Sequence, residues 1–221
     1  MNVSRFRQDP DYWDQKLANY LHDPPDKALS IPGHEERSRE LTDLLNIPTP
    51  NKDFYQRADS IASGLDRAQV PGYSADPNCN GAINFGQQPM ITHPTGNRPA
   101  LQLEITAGLD CTGIAKSVQD ILKKDLESLS QSEGFKNNPT AYAPARFHYV
   151  HHVLRERLAQ DNVGGLGGLW QRMPADTRIP DHSIWQHCSL VSALTSCFAL
   201  SEKHQASLMV FSLTPVVEPG S

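Results

Sequence analysis

Apolar residues recur at helical spacing along six stretches of the chain, separated by proline-rich breaks. Trp13, Leu17, Tyr20 and Leu21 share one face of a segment over residues 11–22. Pro24 and Pro25 end it, because a residue before proline avoids the α region. Leu41, Leu44 and Leu45 predict a second helix over 34–46, facing inward, stopped by Pro48 and Pro50. Phe54, Ala58, Ile61, Ala62 and Leu65 form the apolar stripe of a third over 52–69, closed by Pro71-Gly72. Ile114, Val118, Ile121, Leu122, Leu126 and Leu129 mark an amphipathic helix after Thr112, and Phe147, Val150, Leu154 and Leu158 mark another. Over 183–200, Leu190, Val191, Leu194 and Phe198 share a face. The fold class is mainly α.

Residues 71–110 break this rhythm. They are rich in Pro, Gly and Asn and read as a long loop with room for short strands, the kind of segment that carries function or moves. "VGGLGGLW" reads as a flexible joint, and it is no phosphate loop, since no Gly-Lys-Ser/Thr follows. "SLMVFSLTPV" over 207–216 has strand composition, yet a lone strand has nowhere to place its hydrogen bonds. The expectation is a fragment that stops as a second domain begins. No internal repeat is visible.

Composition narrows the function classes. A chain of 221 residues can bury a core without disulfide or metal staples. A net charge of −5 argues against a surface that coats DNA without regard to sequence, which needs an excess of lysine and arginine. It leaves room for an enzyme that handles nucleic acid in a small cleft. Cys79, Cys111, Cys188 and Cys197 are scattered with no CxxC pair, so a cysteine zinc site is not expected and free thiols are. The opening "MNVSRFRQDPDYWDQ" is too polar for a signal peptide, and no run is apolar enough to span a membrane. A cytoplasmic protein without membrane contact is expected.

The candidate chemistry sits at helix ends. His22 and Asp23 lie side by side where the first helix meets two prolines. A neutral imidazole nitrogen and a hard carboxylate oxygen can address one ion, and that mixture suits a divalent transition metal such as Mn, Fe, Co, Ni or Zn. A His-Asp dipeptide is also a common turn-stabilising pair. Asp59 borders the apolar stripe of its helix, where a carboxylate needs a partner or a metal. An ion pair with Arg57 or Arg67 would serve equally. His187 precedes Leu190, Val191, Leu194 and Phe198 by three, four, seven and eleven residues, which puts its ring on the core-facing stripe. A hydrogen-bonded core histidine is the plainer reading of that position. Together, His22, Asp23, Asp59 and His187 can form one cluster, with His34 and His182 as further ligands for a second metal. Such a site, holding one or two ions, would lower the pKa of a water and hold a phosphodiester for in-line attack. His22 and Asp23 are the catalytic candidates. His93, His148, His151, His152 and His204 are taken as surface or core residues.

This pattern resembles the HD superfamily of metal-dependent phosphohydrolases, with its order changed. His-Asp comes first, "ADSIASGLDR" matches the later aspartate helix, and "HCSLVSAL" supplies last the histidine that ordinarily comes first, a circular permutation. "LHDPPDKAL", "ADSIASGLDRA", "LWQRMPADTRIPDHSIWQHCSLVSAL" and "VFSLTP" resemble the large signature subunit of type III CRISPR RNA-guided effector complexes of the Cmr branch. The resemblance covers residues 13–70 and 165–215, and from 71 to 165 only "HPTG" matches. It implies an HD domain in two parts, 1–70 and 166–205, a variable insertion with helices over 71–165, and the start of a ferredoxin-like palm over 206–221. It carries metal roles onto His22, Asp23, Asp59 and His187. Asp176 and Arg178 fall within its motif, with Asp176 able to orient a ligand histidine from behind.

Cyclic oligoadenylate synthesis in that family needs a Gly-Gly-Asp-Asp motif, which this sequence lacks, so that activity would lie in palm domains outside it. The resemblance implies a nuclease acting on single-stranded DNA, in company with other type III subunits and a guide-RNA complex. Two alternatives stay open. One is a catalytically silent docking module of the same complex. The other is an HD nucleotide phosphohydrolase, since fold does not fix substrate.

Overall fold

The computed structural model describes residues 8–63, 90–92, 99–102, 109–175, 182–201 and 205–206. Helix α1 runs Pro10–Tyr20. Pro10 occupies its first turn, where a missing N–H costs nothing, and the Asp9 side chain accepts from the Asp11 N–H. The double proline then turns the chain into a short 3-10 segment, Lys27–Leu29. Gly33 enters α2, His34–Leu44, with φ +77, a left-handed conformation that glycine adopts freely. Helix α3, Lys52–Ala62, begins at Asn51, whose side chain accepts from the N–H groups of Asp53 and Phe54.

Strands β1, Met90–Thr92, and β2, Pro99–Gln102, pair antiparallel. Helix α4 spans Cys111–Gln131 and α5 spans Pro139–His148. A single π turn, Tyr149–Val153, joins α5 to α6, Leu154–Gln160. Two 3-10 segments, Val163–Gly165 and Gly167–Arg172, lead towards α7, Ile184–Leu200, which opens with a Ser183/Gln186 capping box. The described residues are therefore mainly helical, as the spacing predicts. None of their helices is long and apolar enough to cross a membrane.

Helix α1 is the centre of the packing, lying against α5 and α7, while α7 also packs on α3. One core joins Leu17, Tyr20 and Leu21 to Leu41, Val118, Leu122, Leu154, Leu158, Trp170 and Cys188. A smaller cluster holds Ala58, Val191 and Phe198. Helix α7 thus contributes Cys188 to one core and Val191 to the other. Arg146 fastens α5 to α1 and to the end of α2, donating from Nε to Asp14 at 2.9 Å and from Nη1 to the Leu45 carbonyl at 3.1 Å.

Several expectations are corrected. "VGGLGGLW" is not a flexible joint. Val163, Leu166, Leu169 and Trp170 are buried, and the Trp170 indole donates to the Val163 carbonyl at 3.0 Å. The glycines are turn-formers, because Gly164, Gly165 and Gly167 all have positive φ. Their spacing lets four apolar side chains reach one core. Three residues expected on inward faces point outward: Leu44, Leu190 and Ile61, the last 53% exposed. Apolar stripes are wider than the contact a neighbouring helix can make, so edge positions stay wet. The third helix is described to Ala62, and its expected extension to 69 lies outside the described residues, as does the 207–216 strand.

Candidate metal centre

Four elements converge below the C-terminus of α1. His22 and Asp23 directly follow its C-cap, Leu21. The turn that presents them is held from two sides. Ser38 of α2 donates to the Leu21 carbonyl at 2.6 Å. Buried Asp26 accepts from Arg37 Nε at 2.7 Å, and Arg37 Nη1 also donates to the Pro32 carbonyl at 3.1 Å. His34 comes from the first turn of α2 and Asp59 from α3. His187 comes from the first turn of α7, on the same buried side as Cys188 and Val191. An isolated bridge between Pro174 and Ser183 sets the start of α7 and places His182 beside it.

The geometry is tight. His187 Nε2 lies 3.1 Å from Asp59 Oδ1 and 3.6 Å from Asp23 Oδ2. His22 Nε2 lies 3.5 Å from Asp23 Oδ2 and 3.9 Å from Asp59 Oδ1. The imidazoles of His22 and His187 are 5.5 Å apart. One ligand atom from each of His22, Asp59 and His187 falls within 4.8 Å of the others, so the three could hold a metal ion. Two donors each about 2.1 Å from one ion sit about 3.0–3.4 Å apart, so small side-chain shifts suffice.

The donor set fits a divalent transition metal. His22 and His187 are buried, and Nε2 of each lacks an aligned hydrogen bond, a costly arrangement unless something else satisfies them. His22 Nδ1 sits 2.9 Å from the Asn19 carbonyl. A carbonyl can only accept, so Nδ1 carries the proton and Nε2 offers its lone pair to the cluster. His34 repeats the device, with Nδ1 2.8 Å from the Ile31 carbonyl and Nε2 3.7 Å from Asp23 Oδ1. His182 is half-buried, its ring 5.9 Å from that of His187. All six sequence-nominated residues therefore lie together, with His34 and His182 at the margin.

Electrostatics keep these groups in the forms a cation needs. Burial pushes the His22 imidazole down, which favours its neutral, ligating form, against the pull of Asp23. Burial alone would raise the Asp23 and Asp59 carboxyls. The His22 imidazole and the Lys27 ammonium beside Asp23 outweigh that, and Asp23 lies below the ordinary carboxylate range. Asp59 lies below it too, through His187, His22 and the Ser63 hydroxyl, which donates at 3.0 Å. Burial drives the Cys188 thiol well up, so it stays protonated, with its sulfur 3.7 Å from the Asp23 carbonyl.

Sequence reasoning missed Lys27. Its Nζ lies 2.6 Å from Asp23 Oδ2, the same oxygen that faces both histidines. The signal was present in "HDPPDK", since a lysine four residues after a buried carboxylate is a candidate counter-ion. His151 and His152 lie on the π turn, outside this cluster, with His152 exposed. Asp176, Arg178, Arg67, His93 and His204 lie outside the described residues.

Fold and site thus define a mainly helical protein with a His/Asp cluster able to bind a metal. No family model matches the chain. It is 30% identical over 213 residues, 82% of this chain and 24% of the relative, to "CRISPR system Cmr subunit Cmr2" of Pyrococcus furiosus. The resemblance to a type III Cmr subunit read from the motifs is therefore shown. The chain spans about a quarter of that relative's length.

Proposed function

We propose that this chain is a metal-dependent phosphodiesterase unit of a type III CRISPR antiviral complex, acting on single-stranded DNA. In this reading it is a circularly permuted HD domain, built from 1–70 and 166–205 around the 71–165 insertion, with a palm beginning at 206. Its partners would be the other subunits and their guide RNA. The observation that carries the proposal is the meeting of His22, Asp59 and His187, with two buried Nε2 atoms lacking aligned partners. The Cmr relative supports the setting, and the motif resemblance supports the chemistry.

His22, Asp59 and His187 would hold the first ion, with Asp23 beside them and His34 and His182 completing a second position. A bound divalent ion supplies charge neutralisation at the phosphoryl oxygens and makes water a better nucleophile near neutral pH. The chain's own residues do the rest. Asn19 fixes the tautomer of His22, and Asp23 stays ionised between two histidines and Lys27. Helices α1, α3 and α7 exclude bulk water from one side of the cluster, which strengthens every charge interaction inside it.

A silent docking module is the second reading, and the Lys27–Asp23 contact favours it, because an internal ammonium can replace an ion. Incubating end-labelled single-stranded DNA with Mn²⁺ separates the two. Cleavage by this chain, lost in Asp59→Asn, is expected. An uncleaved strand both with the chain alone and with the assembled complex, together with no metal uptake, would leave the docking reading.

A further inference from the structure

A cavity of about 740 Å³ opens beside His22, between α2, the 48–51 segment and the start of α3. That volume is within the about 300–1,000 Å³ range of small-molecule sites. Tyr55 lines it, with its ring 5.7 Å from the His22 imidazole at 40°. Arg39 and Lys52, both exposed, contribute two positive charges, and Glu35 and Asp53 contribute two negative ones.

The wall is held in place by the residue that orients His22. The Asn19 backbone carbonyl faces His22 Nδ1, while its side-chain oxygen accepts from the Asn51 N–H at 3.1 Å. Gln15 Nε2 donates to that oxygen at 3.3 Å and to the Thr49 carbonyl at 3.2 Å. Pro48 and Pro50 stiffen the remainder. The cavity and the candidate metal centre are thus one rigid construction.

We propose that this cavity is a subsite for the one nucleotide next to the scissile phosphate, with Tyr55 stacking on its base and Arg39 and Lys52 facing its outer phosphate. It rests on the phosphodiesterase reading. The balanced charge decides the size of the ligand. A groove that tracks many phosphates needs a positive excess, whereas two cations beside one aromatic ring suit a single nucleotide unit. That unit can belong to a DNA strand or be a free nucleotide.

The test is fluorescence anisotropy of a fluorescein-labelled dT10 strand with this chain in EDTA, across a salt series. Neutralising one phosphate of a single strand predicts a log–log slope of about −0.7. Arg39→Ala and Lys52→Ala should each weaken binding and flatten that slope. Tyr55→Ala should weaken binding about 5- to 150-fold at unchanged slope, and Tyr55→Phe should keep it. Displacement by dTMP that is lost in Tyr55→Ala would assign the unit to free nucleotides as well as strands. Failure of dTMP to displace would restrict it to strands. Wild-type affinity in all three alanine variants, a slope steeper than about −4, or no binding by the wild type would overturn the subsite. Cleavage measured in parallel keeps the two ideas apart. Variants that bind normally while Asp59→Asn abolishes cleavage overturn the subsite alone. The expected binding losses without any cleavage overturn the phosphodiesterase reading alone.

Discussion

Lys27 and Asp23, four residues apart in sequence, form a largely buried ion pair at 2.6 Å, and they form it at the Asp23 oxygen that faces both histidine Nε2 atoms. The pair keeps Asp23 ionised and raises the Lys27 ammonium above its ordinary range, although burial opposes both charges. Lys27 therefore acts as a built-in cation at a site shaped for one. Lys27→Met should expose this competition. Breaking a buried pair by removing one partner costs about 3–5 kcal/mol, so the metal-free variant should melt well below the wild type. Added Mn²⁺ should then raise the variant's melting temperature more than the wild type's. Thermal melts with and without Mn²⁺ check this, and equal shifts in both proteins would refute it.

His187→Ala should remove metal uptake. Loss of a supporting partner to a ligand typically costs 10- to 100-fold in affinity, so loss of a ligand should cost about 100-fold or more. Titration calorimetry with Mn²⁺ or Ni²⁺ reads the effect. Unchanged uptake in this variant would place any bound metal elsewhere.

Metal-free stability should rise with pH from about 4 to about 6.5. Burial, with the positive neighbours His152, Lys16, His148 and Arg155, pushes His151 down to about 4, and burial also lowers His22. Below about pH 6.5 the unfolded chain takes up protons that the folded chain refuses, so acid favours unfolding. Stability is complete above that pH and declines as pH falls towards 4. Urea midpoints at pH 5 and 7 measure the difference, and His151→Gln should narrow it. A midpoint as high at pH 5 as at pH 7 would contradict the assignment.

Trp170→Ala should destabilise the fold by about 3–5 kcal/mol, the cost of emptying a large buried site. Trp170 is fully buried, its indole is satisfied by Val163, and its carbonyl accepts from the Trp185 indole. Limited proteolysis should leave residues 163–170 uncut in the wild type. Rapid cutting there would restore the flexible-joint reading.

Much of the helical pattern was legible before any coordinates. Leu17, Tyr20, Leu41, Val118, Leu122 and Leu158 were nominated by periodicity and are buried. The errors cluster where a local rule meets a neighbour. Ile61 and Leu190 obey their helices' periods, but α3 and α7 cover only part of each stripe. The "VGGLGGLW" segment carries flexible composition, yet its apolar side chains join the core, and its 3-10 turns pack against α4 and α6. The resemblance nominated His22, Asp23, Asp59 and His187, and these four side chains lie together. It said nothing of Lys27 or of Tyr55.

By itself, the sequence determined what depends on neighbours along the chain. Helix faces, proline stops, side-chain caps and the local pairing of His22 with Asp23 all follow from steric and hydrogen-bonding rules acting over a few residues. Only the tertiary structure decided that His187 arrives within 3.1 Å of Asp59 and 3.6 Å of Asp23. It also decided that Asn19 braces both His22 and the wall of the cavity beside it. Those relations depend on how α1, α3 and α7 pack. Packing is settled by the summed burial of many side chains distant in sequence, which no short stretch encodes.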